Sequence, residues 1–274
     1  MYNLSRRLAL AAMAVAPFYV YAADALTWQQ QEEFLRKAKV IKIAESKKGV
    51  TGTSRVTLSD GKLTHDASVQ TIDEHKPLFL GEVDFKDSYR YYVTGWKLAQ
   101  LLGVADMVPP SVKRSFKGTD ASYTWWIDNV GATAGGVVVM DQADMTAKGI
   151  KAPNPERWNQ EMAIMTVFDQ LIYNMDRNQT NVVIGTDWRL WMIDPSRAFR
   201  THKTLKDPAS LTQIDRKMLA ALKALDAATL HKEFDKEKLA SKAEIESLLA
   251  RRDVIVAFFE NRGPSALFDR PARP

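Results

Sequence analysis

The apolar residues of this chain change period part-way along, and that change restricts the fold to few classes. Up to about residue 140 they mostly alternate or form short β-prone runs, and from Pro155 they recur at helical spacing. Val40–Ala44, Arg55–Leu58, Leu63–Ile72, Tyr123–Ile127 and Gly136–Met140 read as strands. Ser59-Asp60-Gly61-Lys62 lies between two of them, and Asp-Gly there is a hairpin signal. Two helices interrupt this part: Trp28–Lys39, short and charged, and Ser88–Leu102, which stops at Gly103 ahead of Pro109-Pro110. Arg157–Tyr173 then carries Met162, Met165, Val167, Phe168, Leu171 and Ile172 on one stripe. Asn181–Ile184 and Leu190–Ile193 are short strands around Gly185-Thr186-Asp187, and Leu211–Leu225 and Ala243–Phe259 are amphipathic helices. Strands first and helices after predict an α+β protein in two lobes, with its ligand in the cleft between them. The expected divisions are a leader over 1–22, an N-lobe over 23–128 and a C-lobe over 129–274.

The leader sets the compartment. Arg6 and Arg7 precede the almost wholly apolar Leu8–Val20, and small residues follow at Ala22, Ala23 and Ala25. That is the order of a secretory signal peptide, with cleavage expected after Ala22 and Ala25 as second choice. The run is too short for about 30 Å of hydrocarbon, and Pro17 interrupts it, so an uncleaved anchor is the lesser alternative. Ser5-Arg6-Arg7 resembles the start of a twin-arginine signal, but Ala9 stands where a large apolar residue is usual. No later stretch approaches 18 apolar residues, which predicts a periplasmic or secreted protein with no stable membrane span after cleavage.

The chain has no cysteine, so disulfide staples, thiolate catalysis and cysteine-based zinc sites are excluded. Losing residues 1–22 takes two arginines and no acid from 38 basic and 33 acidic residues. The small positive excess left does not point to nucleic acid as a partner. His65, His75, His202 and His231 lack metal-ligand spacing and read as surface or loop residues, and no serine sits on a nucleophile elbow.

Chemistry concentrates after the Arg157–Tyr173 helix. Asn174-Met175-Asp176-Arg177-Asn178-Gln179-Thr180-Asn181 is followed, past the hairpin, by Trp191-Met192-Ile193-Asp194-Pro195-Ser196-Arg197-Ala198-Phe199. A loop between Asp176 and Asn181 turns both side chains toward one cavity, and the hairpin returns the chain so that Asp194 faces it too. Such a set supplies a proton acceptor and two oxygen ligands for Mg²⁺. Phosphoryl transfer needs little more, because it depends on positioning and charge neutralisation. Arg177 and Arg197 read as structural, holding these two stretches. Trp125-Trp126 reads as a cover for the core or the hinge, and Arg251-Arg252-Asp253 as a helix face paired with neighbouring acids.

These motifs resemble the catalytic loop and metal-binding element of the protein-kinase-like superfamily. The wording Asn-x-Asp-Arg-x-x-x-Asn, then Ile-Asp-x-x-x-Ala-Phe, is most similar to its atypical branches: phosphatidylinositol 3-/4-kinases, HipA-type kinases, and secreted Golgi and spore-coat kinases. Phosphatidylinositol kinases typically carry His where this chain has Asn178. The resemblance implies a bilobal kinase-like fold using ATP and Mg²⁺, with Asp176 as catalytic base and Asn181 and Asp194 holding the metal. It puts Gly49, Gly52 and Ser54 in the phosphate-covering loop, which lacks the Gly-Lys-Ser/Thr ending of a Walker loop. It also puts Gln70 where the nucleotide-binding lysine of the third strand is expected, and Tyr92 where the partner glutamate is expected, with Asp84 and Asp87 as the nearest acids. Loss of both members of an ion pair together is coherent, since one buried charge without its partner costs several kcal/mol. Lys76, Lys47 and Lys48 are the lysines available to reach in from elsewhere. The implied acceptor is a protein, a lipid headgroup or a sugar. The alternatives are a pseudokinase acting as a nucleotide-binding or protein-interaction module, and an adenylyl transfer with the nucleotide reversed.

Overall fold

The computed structural model describes residues 26–45 and 53–271. Helix α1 (Trp28–Lys37) opens on a capping box, in which the Thr27 hydroxyl accepts from the Gln30 amide and the Gln30 side chain accepts from the Thr27 amide. Strands β1 (Lys39–Glu45), β2 (Ser54–Ser59) and β3 (Thr64–Gln70) follow, then the hairpin β4 (Asp73–Phe79) and β5 (Glu82–Ser88). Helix α2 (Arg90–Leu101) and strands β6 (Ser111–Phe116) and β7 (Thr119–Trp125) complete the β-rich lobe. Its sheet runs β1-β2-β3-β7-β6, antiparallel throughout, and β4–β5 stands apart as a two-stranded ribbon. Alternation assigns the sheet's two faces. Val56, Leu58, Ala67, Val69, Val112, Ala121 and Tyr123 pack with Phe34 and Leu35 of α1, so Arg55, Ser68, Gln70, Ser122 and Thr124 face the other way.

The helical lobe begins with the short hairpin β8 (Ala132–Ala134) and β9 (Val137–Val139), then α3 (Gln142–Ala147). Helix α4 (Pro155–Ile172) is capped by Asn154, has Pro155 in its first turn, and ends at Tyr173 in the left-handed region. After it come β10 (Val182–Ile184), β11 (Leu190–Met192), β12 (Ile214–Asp215), α5 (Arg216–Ala224), α6 (Ala227–Phe234), α7 (Lys242–Arg262) and β13 (Leu267–Phe268). Phe168, Leu171, Ile184, Phe199, Leu222, Phe234, Leu248 and Phe259 form its core, and α2 adds Tyr91, Val93, Trp96 and Leu98 to the same cluster. Thus α2 lies between the sheet and the helices yet belongs to the helical core.

Several expectations change here. The ribbon β4–β5 and strand β6 have no counterpart among the expected strands. The helix expected over 211–225 begins only at Arg216, because Ile214–Asp215 pairs with β13 instead. His65 is not a surface residue: it is 6% exposed, stacked on Trp125 at 3.7 Å and bonded to Asp128 at 2.6 Å. Arg251 does not pair with acids. Fully buried, it donates to the carbonyls of Leu171, Arg200 and His202, and burial brings its pKa down to about 10. Among the described residues no helix is long and apolar enough to cross a membrane.

The ribbon is fastened to the helical lobe by buried charge. Lys86, 6% exposed, reaches Glu244 of α7 at 2.9 Å, and the Tyr91 hydroxyl donates to the same Glu244 oxygen at 2.6 Å. Arg200 pairs with Glu82 and donates to the Asp84 carbonyl, while Asp84 accepts from the Thr201 amide at 3.0 Å. Burial favours the protonated form of Glu244. The Lys86 charge, the Ser241 amide and the Tyr91 hydroxyl outweigh it and hold the carboxyl below its ordinary range. Lys86→Met should therefore cost about 3–5 kcal/mol in urea unfolding, because it strands a buried carboxylate, and Lys86→Met with Glu244→Leu should recover much of that loss. A lowered folded-state pKa stabilises above the unfolded value of about 4.3 and loses that contribution as pH falls through the folded value. Stability of the parent should accordingly drop below about pH 4 more steeply than that of Glu244→Gln, read as urea midpoints across pH 3–6.

Candidate active site

The end of α4 is built to hold a loop open. Asn174, 2% exposed, donates through its side-chain amide to Asp169 at 3.0 Å and accepts the Asp176 amide at 3.0 Å. Arg177 spans the segment: its guanidinium takes both oxygens of Asp169 at 2.9 and 3.1 Å, then the carbonyls of Asn181 at 2.8 Å and Ile193 at 2.7 Å. One planar group with five donors thereby fixes the loop to the strand leading into Asp194. Asn178 caps the turn by accepting from Thr180, and its amide approaches the Asp176 carboxylate at 3.3 Å. Asn181 donates to the Asp176 carbonyl at 3.0 Å, so its amide oxygen is left outward. Arg177 is structural, as its place in the motif suggested.

Asp194 follows Ile193 with φ 51°, the left-handed region that non-glycine residues rarely adopt. Its Oδ1 accepts the Tyr92 hydroxyl at 2.5 Å, while its Oδ2 takes no hydrogen bond from any described residue. Tyr92 is also hydrogen-bonded by Gln70, the last residue of β3. Burial, then the Asp194 charge and the bond to it, hold the Tyr92 hydroxyl well above its ordinary pKa, so it stays a donor. Gln70, 1% exposed, further donates to Thr53 at 3.1 Å and accepts the Thr71 amide at 3.0 Å. The two residues that the resemblance puts in the positions of the lysine and the glutamate are therefore hydrogen-bonded, as a neutral pair. Pro195 then packs against α2, where a Cβ on Gly95 would lie 3.8 Å from it.

Asp176, Asn181, Asp194 and Gln70 thus come together through Arg177 and Tyr92. Ser54 pairs with Val69, the residue before Gln70, and alternation with Val56 and Leu58 puts it on the α1 face of the sheet, opposite to Gln70. Gly49, Gly52, Lys47 and Lys48 lie outside the described residues. Lys76 does not reach the site: its ammonium pairs with Glu74 at 2.7 Å and lies over the Phe79 ring. On the upper wall Arg55 pairs with Asp66 at 2.6 Å and stacks on Trp126 at 4.1 Å. A cavity of about 350 Å³ opens between Trp28, Pro110, Trp125, Asp128, Arg189 and Trp191, but none of Asp176, Asn181 or Asp194 lines it. The donors identify the site, not the size of the opening. They are all oxygens, which suits a hard divalent cation such as Mg²⁺ or Mn²⁺.

One acid at this wall was read from the sequence only as a neighbour of the missing glutamate's position. Asp87, at the end of β5, is 5% exposed and hydrogen-bonded by Ser196, two residues beyond Asp194. Burial raises its pKa, the Ser196 bond opposes that, and the Asp194 charge adds to the rise. The signal that would have exposed it is Leu80-Gly81, both at positive φ between the paired Phe79 and Glu82, which marks a tight hairpin turn.

No protein-family model matches the chain, and no curated protein sequence matches it. Solved structures do match. The Fam20 protein of hydra, determined with a sugar, superposes with a TM-score of 0.63 at 13% identity, covering 88% of this chain and 92% of that one. The Golgi casein kinase gives 0.60 at 12% identity over 92% and 80% of the two chains. Its structure with Mn and ADP bound gives 0.61 at 12% identity over 91% and 80%. At such identities the likeness concerns architecture, and it establishes the chain as a bilobal, atypical protein-kinase-like fold.

Proposed function

We propose that this chain is an exported phosphotransferase that moves a phosphoryl group from a nucleoside triphosphate to an acceptor hydroxyl. Residues 1–22 would direct export, 23–128 form the lobe above the nucleotide and 129–274 the lobe below it. The carrying observation is the Arg177 clamp, which ties Asn181 to the Asp194 stretch while leaving the Asn181 amide oxygen and Asp194 Oδ2 without donors. The Golgi casein kinase is a matching architecture with Mn and ADP bound, which supports a nucleotide and a divalent cation here. Asn181 and Asp194 would hold the cation, whose charge would offset that of the phosphates. Asp176 is half-buried and, among the described residues, its carboxylate is reached only by the Asn178 amide at 3.3 Å, so it is free to orient an acceptor hydroxyl and take its proton. The acceptor is a protein, a lipid headgroup or a sugar.

A second reading has its own observation. Gln70 and Tyr92 bring no positive charge to the α- and β-phosphates, and Tyr92 occupies one oxygen of Asp194. This favours a pseudokinase that binds nucleotide as a switch or scaffold, a reading also suited to a compartment poor in ATP.

Thermal or urea unfolding with Mg²⁺–ATP separates these readings. Ligand at 100 times its Kd should stabilise the chain by about 2.7 kcal/mol. Asp194→Ala should abolish the gain, and Asp176→Ala should keep it while stopping transfer to any acceptor. No stabilisation with Mg²⁺ or Mn²⁺ would sink both readings. Binding without transfer would select the pseudokinase, and a nucleotide monophosphate on the acceptor would show adenylylation.

Arg177→Met tests the clamp itself. It should cost about 1.5–3 kcal/mol of stability, the range for hydrogen bonds to a charged group, and should also remove the nucleotide-induced gain. Full nucleotide binding by a folded Arg177→Met chain would show that the clamp does not set the site.

A further inference from the structure

We propose that Asp87 is a ligand for the divalent cation of this cleft, sharing it with Asp194. The inference deepens the nucleotide-binding site described above and rests on it. Strand alternation sends Lys86 toward Glu244 and Asp87 to the opposite side of the ribbon, where its charge and that of Asp194 repel each other. The Ser88 amide donates to the Ser196 carbonyl at 2.9 Å, which ties the end of β5 to the stretch following Asp194. Ser196 also bonds the Asp87 carboxylate, yet Asp87 Oδ1 is buried with no hydrogen-bond partner.

A buried carboxylate oxygen without a donor is costly, and a second carboxylate nearby makes it more so. Of the neighbouring cations Arg197 offsets this in part, but burial and the Asp194 charge outweigh it. Arg197 and Arg200 are both paired with Glu82, and Lys86 with Glu244. Tyr92 fills Asp194 Oδ1 and leaves Oδ2. Asp87 Oδ1, Asp194 Oδ2 and the Asn181 amide oxygen are thus three oxygen donors on one wall without partners among the described residues. Among the described residues no three His, Asp or Glu side chains group as a metal site. Two carboxylates and an amide, completed by phosphate oxygens and water, is the kind of shell Mg²⁺ and Mn²⁺ take beside a nucleotide.

Titration of the full chain with Mn²⁺, read by the electron paramagnetic resonance signal of free Mn²⁺, tests this in the presence and absence of ADP. Asp87→Asn should weaken Mn²⁺ binding at least tenfold with ADP present, and should melt no lower than the parent without metal, since it removes an uncompensated charge. Asp87→Glu, which keeps a carboxylate, should stay within a few-fold of the parent. Equal Mn²⁺ affinity in Asp87→Asn and the parent would overturn the proposal. If Asp194→Ala abolishes Mn²⁺ binding while Asp87→Asn does not, this inference alone fails. If the parent binds no Mn²⁺, the nucleotide-site reading falls with it. Should Asp87→Asn not fold, anomalous scattering from parent crystals soaked with Mn²⁺ and ADP decides: a peak bonded to both Asp87 and Asp194 supports the proposal, and one bonded to Asp194 alone overturns it.

Discussion

Glu244 is the constraint on which the geometry of this cleft depends. One of its oxygens accepts Lys86 of the ribbon and Tyr91 of α2, and the other accepts the amide of Ser241 at the start of its own helix. That place in the first turn of α7 favours a negative charge, because unpaired amides and the helix dipole point at it. The carboxylate therefore joins three elements, the ribbon, α2 and α7. Its partners are also the sequence neighbours of the residues at the site: Lys86 precedes Asp87, and Tyr91 precedes Tyr92. Adjacent residues of a strand point to opposite faces, and adjacent residues of a helix diverge by about 100°. A latch closed on one side by Lys86 and Tyr91 thus sets where Asp87 and Tyr92 stand on the other.

This explains which parts of the molecule were legible in its sequence. The Asp176–Asp194 segment is local: a helix period, a turn rich in Asn and Asp, and a hairpin signal lie within about forty residues and depend on little else. The resemblance pointed to Gln70 and Tyr92 as the residues in place of a lysine and its partner glutamate, and the two are hydrogen-bonded to each other. The ribbon was not. Asp73–Phe79 is exposed along nearly its whole length and has no alternation to read, and the buried end of its partner is Phe85-Lys86-Asp87-Ser88, mostly polar. Polar residues there are buried because Glu244 lies across from them, 158 positions later in the chain. Arg251 and His65 misled for the same reason. An arginine satisfied by three carbonyls and a histidine stacked under Trp125 are decided by tertiary neighbours that no window of sequence contains.

Charge at the cleft is distributed unusually for a phosphate site. The cations around it are committed elsewhere: Arg177 to Asp169 and two carbonyls, Arg197 and Arg200 to Glu82, Lys86 to Glu244, Arg55 to Asp66. The pair replacing lysine and glutamate is neutral, so among the described residues at this wall the charge is carried by carboxylates. Such a wall repels a bare nucleotide, and the phosphate binding proposed for it would have to come through a metal ion. The same reasoning accounts for Tyr92. A phenol donates to Asp194 without neutralising it, so the carboxylate is held in position and keeps its full charge for a cation.

A buried carboxylate oxygen left without a donor, as Asp87 Oδ1 is among the described residues, persists only where the surrounding structure over-determines its position. In isolation the end of β5 would relax: a small rotation would bring Asp87 to water or to a guanidinium. The Lys86–Glu244 pair on one side and the Ser88–Ser196 backbone bond on the other forbid that rotation. Removing a partner from a buried ion pair costs about 3–5 kcal/mol, while an unsatisfied polar group costs about 1–3 kcal/mol, so the latch is the stronger of the two effects. The fold can therefore hold an oxygen ligand in a conformation it would not choose by itself, and a cation entering the cleft meets a ligand already in position.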